Sequence, residues 1–361
     1  MKRNHLLLYQ TFLSRLYFKK ILVLFVAFEL FFVGFDLLKN FKKLPDSANL
    51  QILYTVNKFL EFINFTIPLT LVFALLMAML QIIKSNELVT LYALGVSKTR
   101  VAKPFITIAA GITLFYILLN TLPYFTQTHE TAYNIRKRGT VSAISSSMFI
   151  KSGKDYAYIE SLNPHEKTGT GMKIFKTDGI RLKEIIEAKQ GKFIKDHWEL
   201  KDITLYDIPE TNGSSPTNAK LQIKQYRSKG VLYGFTPRII DTLFQTSPKL
   251  TIQDSFAAME LLKRQGLRTD KIRANLYMMT IFPLFAPIVV FGLFFLFPAQ
   301  HRGANLSLLT TFVIFGTLVL WGITFTLSKI AANGALSPEA GILLPIFLMA
   351  LGSWYIYRQY K

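Results

Sequence analysis

The amino-acid sequence predicts a membrane α-helical protein: six transmembrane helices, with an outward-facing all-β domain inserted between the third and fourth helices. Of its 361 residues 51% are apolar and 18% are charged, whereas soluble domains carry about 25% charged residues. Long uncharged runs lie in both halves of the chain, and a polar segment of short alternating stretches separates them. The absence of cysteine excludes a disulfide framework.

Five of the six spans are predicted from runs without any Asp, Glu, Lys or Arg. A helix crosses the bilayer with about 20 apolar residues, and each run is close to that length or longer. The five runs are 62–83, 104–128, 274–300, 303–328 and 340–357. The first span is predicted from residues 21–35, which only Glu29 interrupts and Asp36 follows. Because no small-residue cleavage site follows it, we interpret this run as a retained helix.

Basic residues predict the orientation of the spans. Lysine and arginine precede the first span, fill the segment between the second and third spans, and end the chain. The positive-inside rule therefore places both termini in the cytoplasm and residues 129–273 outside. The net charge of +20 is carried by segments that flank apolar runs, so we do not expect nucleic acid as a partner.

The outward segment predicts β structure followed by a helix. Residues 198–206 and 221–226 alternate with a period of two, which is typical of strands in a sandwich or an open barrel. A helix around 255–263, capped by Thr251 or Asp254 and ended by Gly266, leads to the fourth span. The expected domains are 1–128 (spans one to three), 129–250 (the β domain), 251–272 (a connecting helix) and 273–361 (spans four to six).

The sequence carries no recognisable catalytic motif. It has no phosphate-binding G-x-x-x-x-G-K-[ST] loop, no H-E-x-x-H and no G-x-S-x-G. Its five histidines are scattered, so we predict neither catalytic residues nor a metal site nor a cofactor in this chain. A membrane-anchored envelope enzyme, with a catalytic outward domain, is the alternative of a different class.

The segment 85–95, between the second and third spans, predicts a short amphipathic helix. Ser85 or Asn86 can cap it, Glu87 lies in its first turn, and Gly95 can end it. Its apolar residues recur at helical spacing at Leu88 and Leu91. Two interpretations remain open: a helix lying on the membrane surface, or a coupling helix docked in a groove of a cytosolic partner.

Several short motifs carry a resemblance to a known family. Residues 86–89 (Asn-Glu-Leu-Val), followed by 93–97 (Ala-Leu-Gly-Val-Ser), resemble the motif of the lipopolysaccharide export permeases LptF/LptG. Residues 149–153, 156–160 and 282–284 resemble its first strands and fourth span. The resemblance covers nearly the whole chain. The sequence motif at 86–97 is more similar to the LptG branch than to the LptF branch.

This resemblance implies a non-catalytic permease subunit of an ATP-driven ABC transporter in the bacterial inner membrane. It implies a periplasmic β-jellyroll domain, a second six-span permease of similar fold, and a cytosolic ABC ATPase dimer that uses ATP and Mg. Such a complex extracts lipopolysaccharide and passes it to periplasmic jellyroll bridge proteins during outer membrane biogenesis. The LptF-type paralogue, the other half of the same complex, is the nearest alternative.

The resemblance also suggests where charged residues would act. Lys39 and Arg136 match basic positions that the family uses for its substrate. Chemistry extends this set, because lysine and arginine at headgroup level suit the phosphates of lipopolysaccharide. The added residues are Lys42, Lys43, Lys137 and Arg138. Simple solvation of these side chains is the alternative. The ATPase-coupling set comprises Ser85, Asn86, Glu87, Leu88, Leu91 and Gly95.

Two acidic residues of the first span need a partner, because a charge inside a membrane is costly. Glu29 is expected to line a cavity, to pair with the partner permease, or to serve the structure of this chain. Asp36 lies near the outer interface, where it could pair with Lys39 or Lys43.

Overall fold

The computed structural model describes residues 2–141, 145–152, 154–164, 166–179, 181–209, 221–237, 240, 250–300 and 305–360. The chain forms two compact units. The helical unit comprises Met1–Gly139 and Asp270–Lys361, and the β unit comprises Thr140–Thr269. This division differs from the expected boundary at residue 129, because the residues that follow form a helix of the helical unit.

The first half of the helical unit has six helices in the part that the structure describes. They are α1 (Lys2–Asn40), α2 (Ala48–Lys84), α3 (Glu87–Ala93), α4 (Lys98–Leu119), α5 (Pro123–Thr126) and α6 (Thr128–Arg138). A 3-10 turn, Phe41–Lys43, follows α1. The unit resumes after the β unit with α8 (Asp270–Thr280), α9 (Phe285–Leu296), α10 (Leu306–Ala332) and α11 (Leu344–Tyr360).

Six helical segments of the described chain are long and apolar enough to cross a membrane, which confirms the predicted spans. They are Leu8–Lys43, Ala48–Lys84, Lys98–Leu119, Asp270–Leu296, Leu306–Ala332 and Glu339–Tyr360. Pro68 lies within α2 and Pro104 within α4. Membrane helices tolerate proline where neighbouring helices satisfy the freed backbone groups.

The second span is the centre of the helical unit. Protein buries 72% of its most apolar window, whereas only 17% is buried in the first and fifth spans. Leu71, Leu75 and Met79 of α2 belong to a core shared with α1, α4 and α9. Helices α1, α6, α9 and α10 pack against α2, and the first and fifth spans turn large apolar faces outward, where lipid replaces water as the solvent.

The β unit is a six-stranded antiparallel sheet, separate from the helical unit, as the sequence predicts. Its strands are β1 (Ser145–Ser152), β2 (Asp155–Asn163), β3 (Thr168–Asp178), β4 (Arg181–Ile194), β5 (His197–Asp207) and β6 (Gln222–Val231). Each strand pairs with its neighbours in sequence, so the described strands form a meander. The polar segment 209–219, which the sequence predicts to be a loop between β5 and β6, lies mostly outside the described residues.

One face of the sheet supplies the core of the β unit. Ala157 lies opposite Ile174, Ile174 opposite Ile186, and Ile186 opposite Leu205, and all four are buried. Trp198 and Phe235 complete this core. Burial alternates along much of β2 and β5, as the period of two at 198–206 predicts. The alternation at 221–226 gives no buried face, because β6 is exposed over most of its length.

A helix, α7 (Ile252–Arg264), closes the β unit. The Thr251 hydroxyl accepts a hydrogen bond of 3.0 Å from the Asp254 amide. Of the two predicted N-caps, Thr251 is therefore the one that the structure uses. Gly266 has a φ of +67°, and the amide of Leu267 donates to the Leu262 carbonyl. These features end the helix at the predicted glycine, in a Schellman motif.

Candidate functional site

The coupling segment, residues 85–97, contains α3 and the turns at its two ends. Asn86 occupies the N-cap position with a φ of +59°, but its side chain makes no capping hydrogen bond. The Ser85 hydroxyl donates instead to the Gln81 carbonyl at 3.0 Å. The expected side-chain cap is therefore absent, because the left-handed conformation at Asn86 turns the chain directly from α2 into α3.

The end of α3 follows the prediction at Gly95. This glycine has a φ of +80°, which costs a residue with a side chain roughly 1–2 kcal/mol. The Gly95 amide donates to the Tyr92 carbonyl at 2.9 Å, and the Val96 amide donates to the Leu91 carbonyl at 3.1 Å. These two bonds form a Schellman motif that fixes the turn leaving the helix.

The inner face of α3 is anchored in the helical core. Leu88 is fully buried, while Leu91, Tyr92 and Val96 pack against the core that contains α2 and α4. Burial also raises the pKa of the Tyr92 hydroxyl to about 12. Because the helix is held by several apolar side chains, it can move only together with the helices beneath it.

The outer face of α3 is open. Asn86, Thr90 and Leu94 are exposed, and Leu94 keeps 75% of its accessible surface. One carboxylate oxygen of Glu87 is buried and accepts no hydrogen bond from the described residues. Exposed apolar residues on one face are what a helix uses when it docks in the groove of another protein.

Lys98, the first residue of α4, joins the coupling segment to two distant helices. Its ammonium donates to the Phe295 carbonyl of α9 at 2.8 Å and to the Tyr360 carbonyl of α11 at 3.0 Å. It also lies over the rings of both residues, 5.6 and 6.0 Å from their centroids. From the sequence, Lys98 is only one of the basic residues that predict the orientation of the spans. Its hydrogen bonds are not predictable, because the two acceptors are 197 and 262 residues away.

A second polar site joins α1, α2 and α6. We call Asp36, Tyr54, Lys58, Glu61 and His129 the polar cluster. The Tyr54 hydroxyl donates to Asp36 at 2.5 Å, and Lys58 lies 4.0 Å from Asp36 and 2.8 Å from Glu61. Nδ1 of His129 lies 2.6 Å from the other Glu61 oxygen. Asp36 thus contacts α2 rather than Lys39 or Lys43.

Sequence reasoning missed Tyr54, Lys58, Glu61 and His129. Their spacing on α2, at 54, 58 and 61, places the first three on one helical face, which is a usable signal. Lys58 and Glu61 have side chains only 11% and 14% exposed. A buried lysine of this kind requires its carboxylate neighbours.

Arg136 is brought to the same end of α1 as Asp36. Its Nη1 donates to the Asn40 side-chain oxygen at 3.2 Å, and Asn40 in turn donates to the Asp36 carbonyl at 3.0 Å. The Nε of Arg136 is buried and has no acceptor among the described residues. Arg136 therefore links α6 to α1.

The remaining predicted basic residues are exposed. Lys39, Lys42 and Lys43 end the first span, and Lys137 and Arg138 end α6. Within the described residues, no carboxylate forms an ion pair with Lys39, Lys42, Lys43 or Lys137. Ammonium groups without protein partners at the end of a span are available to phosphate.

Glu29 has a partner within this chain. Its carboxylate accepts a hydrogen bond of 2.5 Å from the Thr66 hydroxyl of α2, and the residue is 2% exposed. The second carboxylate oxygen is buried and unpartnered among the described residues. The contact joins α1 to α2.

No group of three or more His, Asp or Glu that could hold a metal occurs in the described part of the chain.

Comparison with known proteins agrees with this architecture. The family model for the lipopolysaccharide export system permease LptF/LptG matches residues 11–359, nearly the whole chain. No curated protein matches the sequence. Six spans, a separate β unit between the third and fourth spans, and a match of this length together assign the family. The chain belongs to the LptF/LptG family of lipopolysaccharide export permeases, multi-pass proteins of the inner membrane.

Proposed function

We propose that this chain is the LptG-type permease subunit of an ATP-driven ABC transporter. It pairs with a second six-span permease and with two copies of a cytosolic ATPase, which bind ATP and Mg. The complex extracts lipopolysaccharide from the inner membrane and passes it to a periplasmic jellyroll bridge. Both termini are cytoplasmic and the β unit is periplasmic in this proposal, as the distribution of basic residues favours.

The coupling segment, with one exposed face and one buried face, supports this proposal. It presents an open face with Leu94 at 75% exposure, while Leu88 is fully buried in the core of the helical unit. An ATPase groove would take the open face, and the buried face would convey closure of the ATPase to the spans. The proposal uses Ser85, Asn86 and Glu87 at the groove, and Leu88, Leu91 and Gly95 to hold the segment.

The substrate headgroup would bind at the opposite ends of the spans. Lys39, Lys42 and Lys43 at the end of the first span, and Lys137 with Arg138 at the end of α6, are exposed cations that would meet the headgroup in this proposal. Arg136 donates to Asn40, the residue after Lys39, and its Nε has no acceptor among the described residues. Phosphates of lipid A supply the matching negative charge.

Co-purification tests the proposal as a whole. The tagged chain is extracted in mild detergent, and every co-purifying protein and lipid is identified by mass spectrometry. We expect a P-loop ATPase, a second six-span permease and lipid A. The identity of the second permease distinguishes an LptG-type chain from an LptF-type chain. A chain recovered alone with bulk phospholipid would contradict the proposal and favour the envelope enzyme.

Replacing Gly95 by valine is expected to detach the ATPase. The substitution forces a β-branched residue into a positive φ, at a cost of about 1–2 kcal/mol, so the Schellman turn opens and α3 tilts. ATPase recovered with the tagged chain should fall about tenfold. Gly111→Ala is the matched control, because Gly111 lies inside α4 with no atom near its missing Cβ. Equal ATPase recovery from both variants would refute the role of the turn.

Neutralising Lys39, Lys42 and Lys43 together as glutamine is expected to weaken lipopolysaccharide binding. Each lysine near an anionic headgroup contributes about 1 kcal/mol, so the Kd should rise by up to about a hundredfold. The control converts Lys84, Arg100 and Lys103, exposed at the other end of the helical unit, with the same change in net charge. Binding is measured with purified lipopolysaccharide in detergent, and equal losses in both triple variants would indicate a nonspecific effect of charge.

A further inference from the structure

The ends of α9 and α11 meet at a single side chain. The Lys98 ammonium donates to the Phe295 carbonyl at 2.8 Å and to the Tyr360 carbonyl at 3.0 Å, an arrangement we call the Lys98 bridge. Phe295 is the penultimate residue of α9 and Tyr360 is the last residue of α11. Lys98 itself begins α4, so the bridge joins three spans.

The chemistry of helix ends explains why this lysine is held. The last four carbonyls of a helix have no intrahelical donor, and the C-terminus carries a partial negative charge. Two such ends side by side repel each other. One ammonium between them satisfies a carbonyl of each, and its hydrogen bonds are charge-assisted. Without it, α9 and α11 would lose a shared donor that no other described residue is shown to supply.

The connection from α3 to the Lys98 bridge is short and hydrogen-bonded. After Leu94 only Gly95, Val96 and Ser97 precede Lys98. The Val96 amide is bonded back to Leu91, and the Ser97 carbonyl accepts from the Arg100 and Val101 amides at 3.0 and 3.2 Å. A displacement of α3 therefore reaches Lys98 through a backbone that is hydrogen-bonded on both sides.

We propose that Lys98 is a positioning residue that transmits the movement of the coupling segment to the fourth and sixth spans. The inference rests on the proposed function of α3 as the coupling helix. When a partner displaces α3, the ammonium carries the ends of α9 and α11 with it. The second half of the helical unit then moves with the first half, although the two halves are separated in sequence by the whole β unit.

Distance measurement on the purified chain tests the bridge itself. The sequence has no cysteine, so Leu94→Cys with Gln359→Cys creates two unique sites for spin labels, on exposed residues next to α3 and at the end of α11. With Lys98 present we expect one narrow distance distribution. Lys98→Met, which keeps the length of the side chain and removes the charge, should broaden that distribution at least twofold. An unchanged distribution in Lys98→Met would overturn the proposal.

Three further variants make the result specific. Lys98→Arg retains the charge and should preserve the narrow distribution. Lys98→Gln keeps an uncharged amide as the donor group, on a shorter side chain, and should give an intermediate width. Lys103→Met is the matched control, because Lys103 is exposed on the same helix and bonds to neither carbonyl. If Lys98→Met proves unfolded by gel filtration, Lys98→Gln decides, and a width equal to the unsubstituted chain would count against the bridge.

Transport by the reconstituted complex tests the consequence. With the ATPase and second permease in proteoliposomes, Lys98→Met should still bind the ATPase, while lipopolysaccharide released per ATP falls about tenfold, equivalent to about 1.4 kcal/mol of coupling. Normal release per ATP would overturn the inference. If the unsubstituted chain binds no ATPase, the proposed function fails, whereas the spin-label result still reports on the bridge.

Discussion

Replacing Trp198 by alanine is expected to destabilise the β unit by about 3–5 kcal/mol. Trp198 is the largest of the fully buried side chains among the described residues. Its ring lies against two glycines that face each other across β3 and β4: the Cβ positions of Gly169 and Gly191 lie 3.3 and 3.5 Å from indole atoms. Its Nε1 donates to the Phe235 carbonyl at 2.8 Å.

Two losses add together in this variant. Removing the indole leaves a cavity that the glycines cannot fill, and the buried Phe235 carbonyl loses its donor. Hydrogen exchange of β4 and β5 amides in the full chain measures the effect. We expect protection to fall by a factor of about a hundred to several thousand, because 1.4 kcal/mol corresponds to a tenfold change. Phe149→Ala, at a ring that is 54% exposed, is the control and should change protection little. Equal protection in the two variants would show that Trp198 does not organise this core.

Replacing Glu61 by leucine is expected to have an effect of similar size in the helical unit. Glu61 lies between Lys58 and His129, at 2.8 and 2.6 Å, and its side chain is 14% exposed. Its removal leaves the buried Lys58 ammonium with Asp36 at 4.0 Å as the remaining carboxylate. Breaking a buried ion pair from one side costs about 3–5 kcal/mol, because the other charge stays buried.

Thermal unfolding in detergent measures this loss, and a double variant identifies its origin. Lys58→Met with Glu61→Leu removes both charges and retains apolar volume, so it should be more stable than Glu61→Leu alone. A double variant as unstable as the single one would mean that Glu61 acts through His129 or through packing. Asp46→Leu, at an exposed site before α2, is the control and should leave the midpoint nearly unchanged.

Features that depend on neighbours in the sequence were predictable. The six spans follow from uncharged runs, and the ends of α3 and α7 follow from Gly95 and Gly266, since only glycine readily adopts a positive φ. The predicted side-chain hydrogen bond at the N-cap of α3 is wrong. Asn86 itself adopts the left-handed conformation, so its side chain does not face the amides that it was expected to cap.

Features that depend on packing were not predictable. Asp36 contacts Tyr54 and Lys58 because α1 lies along α2, whereas the sequence suggested the lysines nearest in the chain. Glu61 and His129 lie 68 residues apart, and the acceptors of Lys98 are still more distant. Whether the exposed basic residues bind lipopolysaccharide, and whether α3 binds an ATPase, stay predictions that the experiments above address.

The division of the chain into a continuous β unit and an interrupted helical unit sets the order in which the protein matures. The six described strands of the β unit, between Ser145 and Val231, each pair with their neighbours in sequence, so the sheet can form its hydrogen bonds as soon as it has been synthesised. The central helix α2 must wait for α9, which emerges only afterwards. At about 5–20 residues per second, the last part of the chain takes some seconds to appear. During that interval a paired sheet is joined to a membrane core that still lacks the residues of α9.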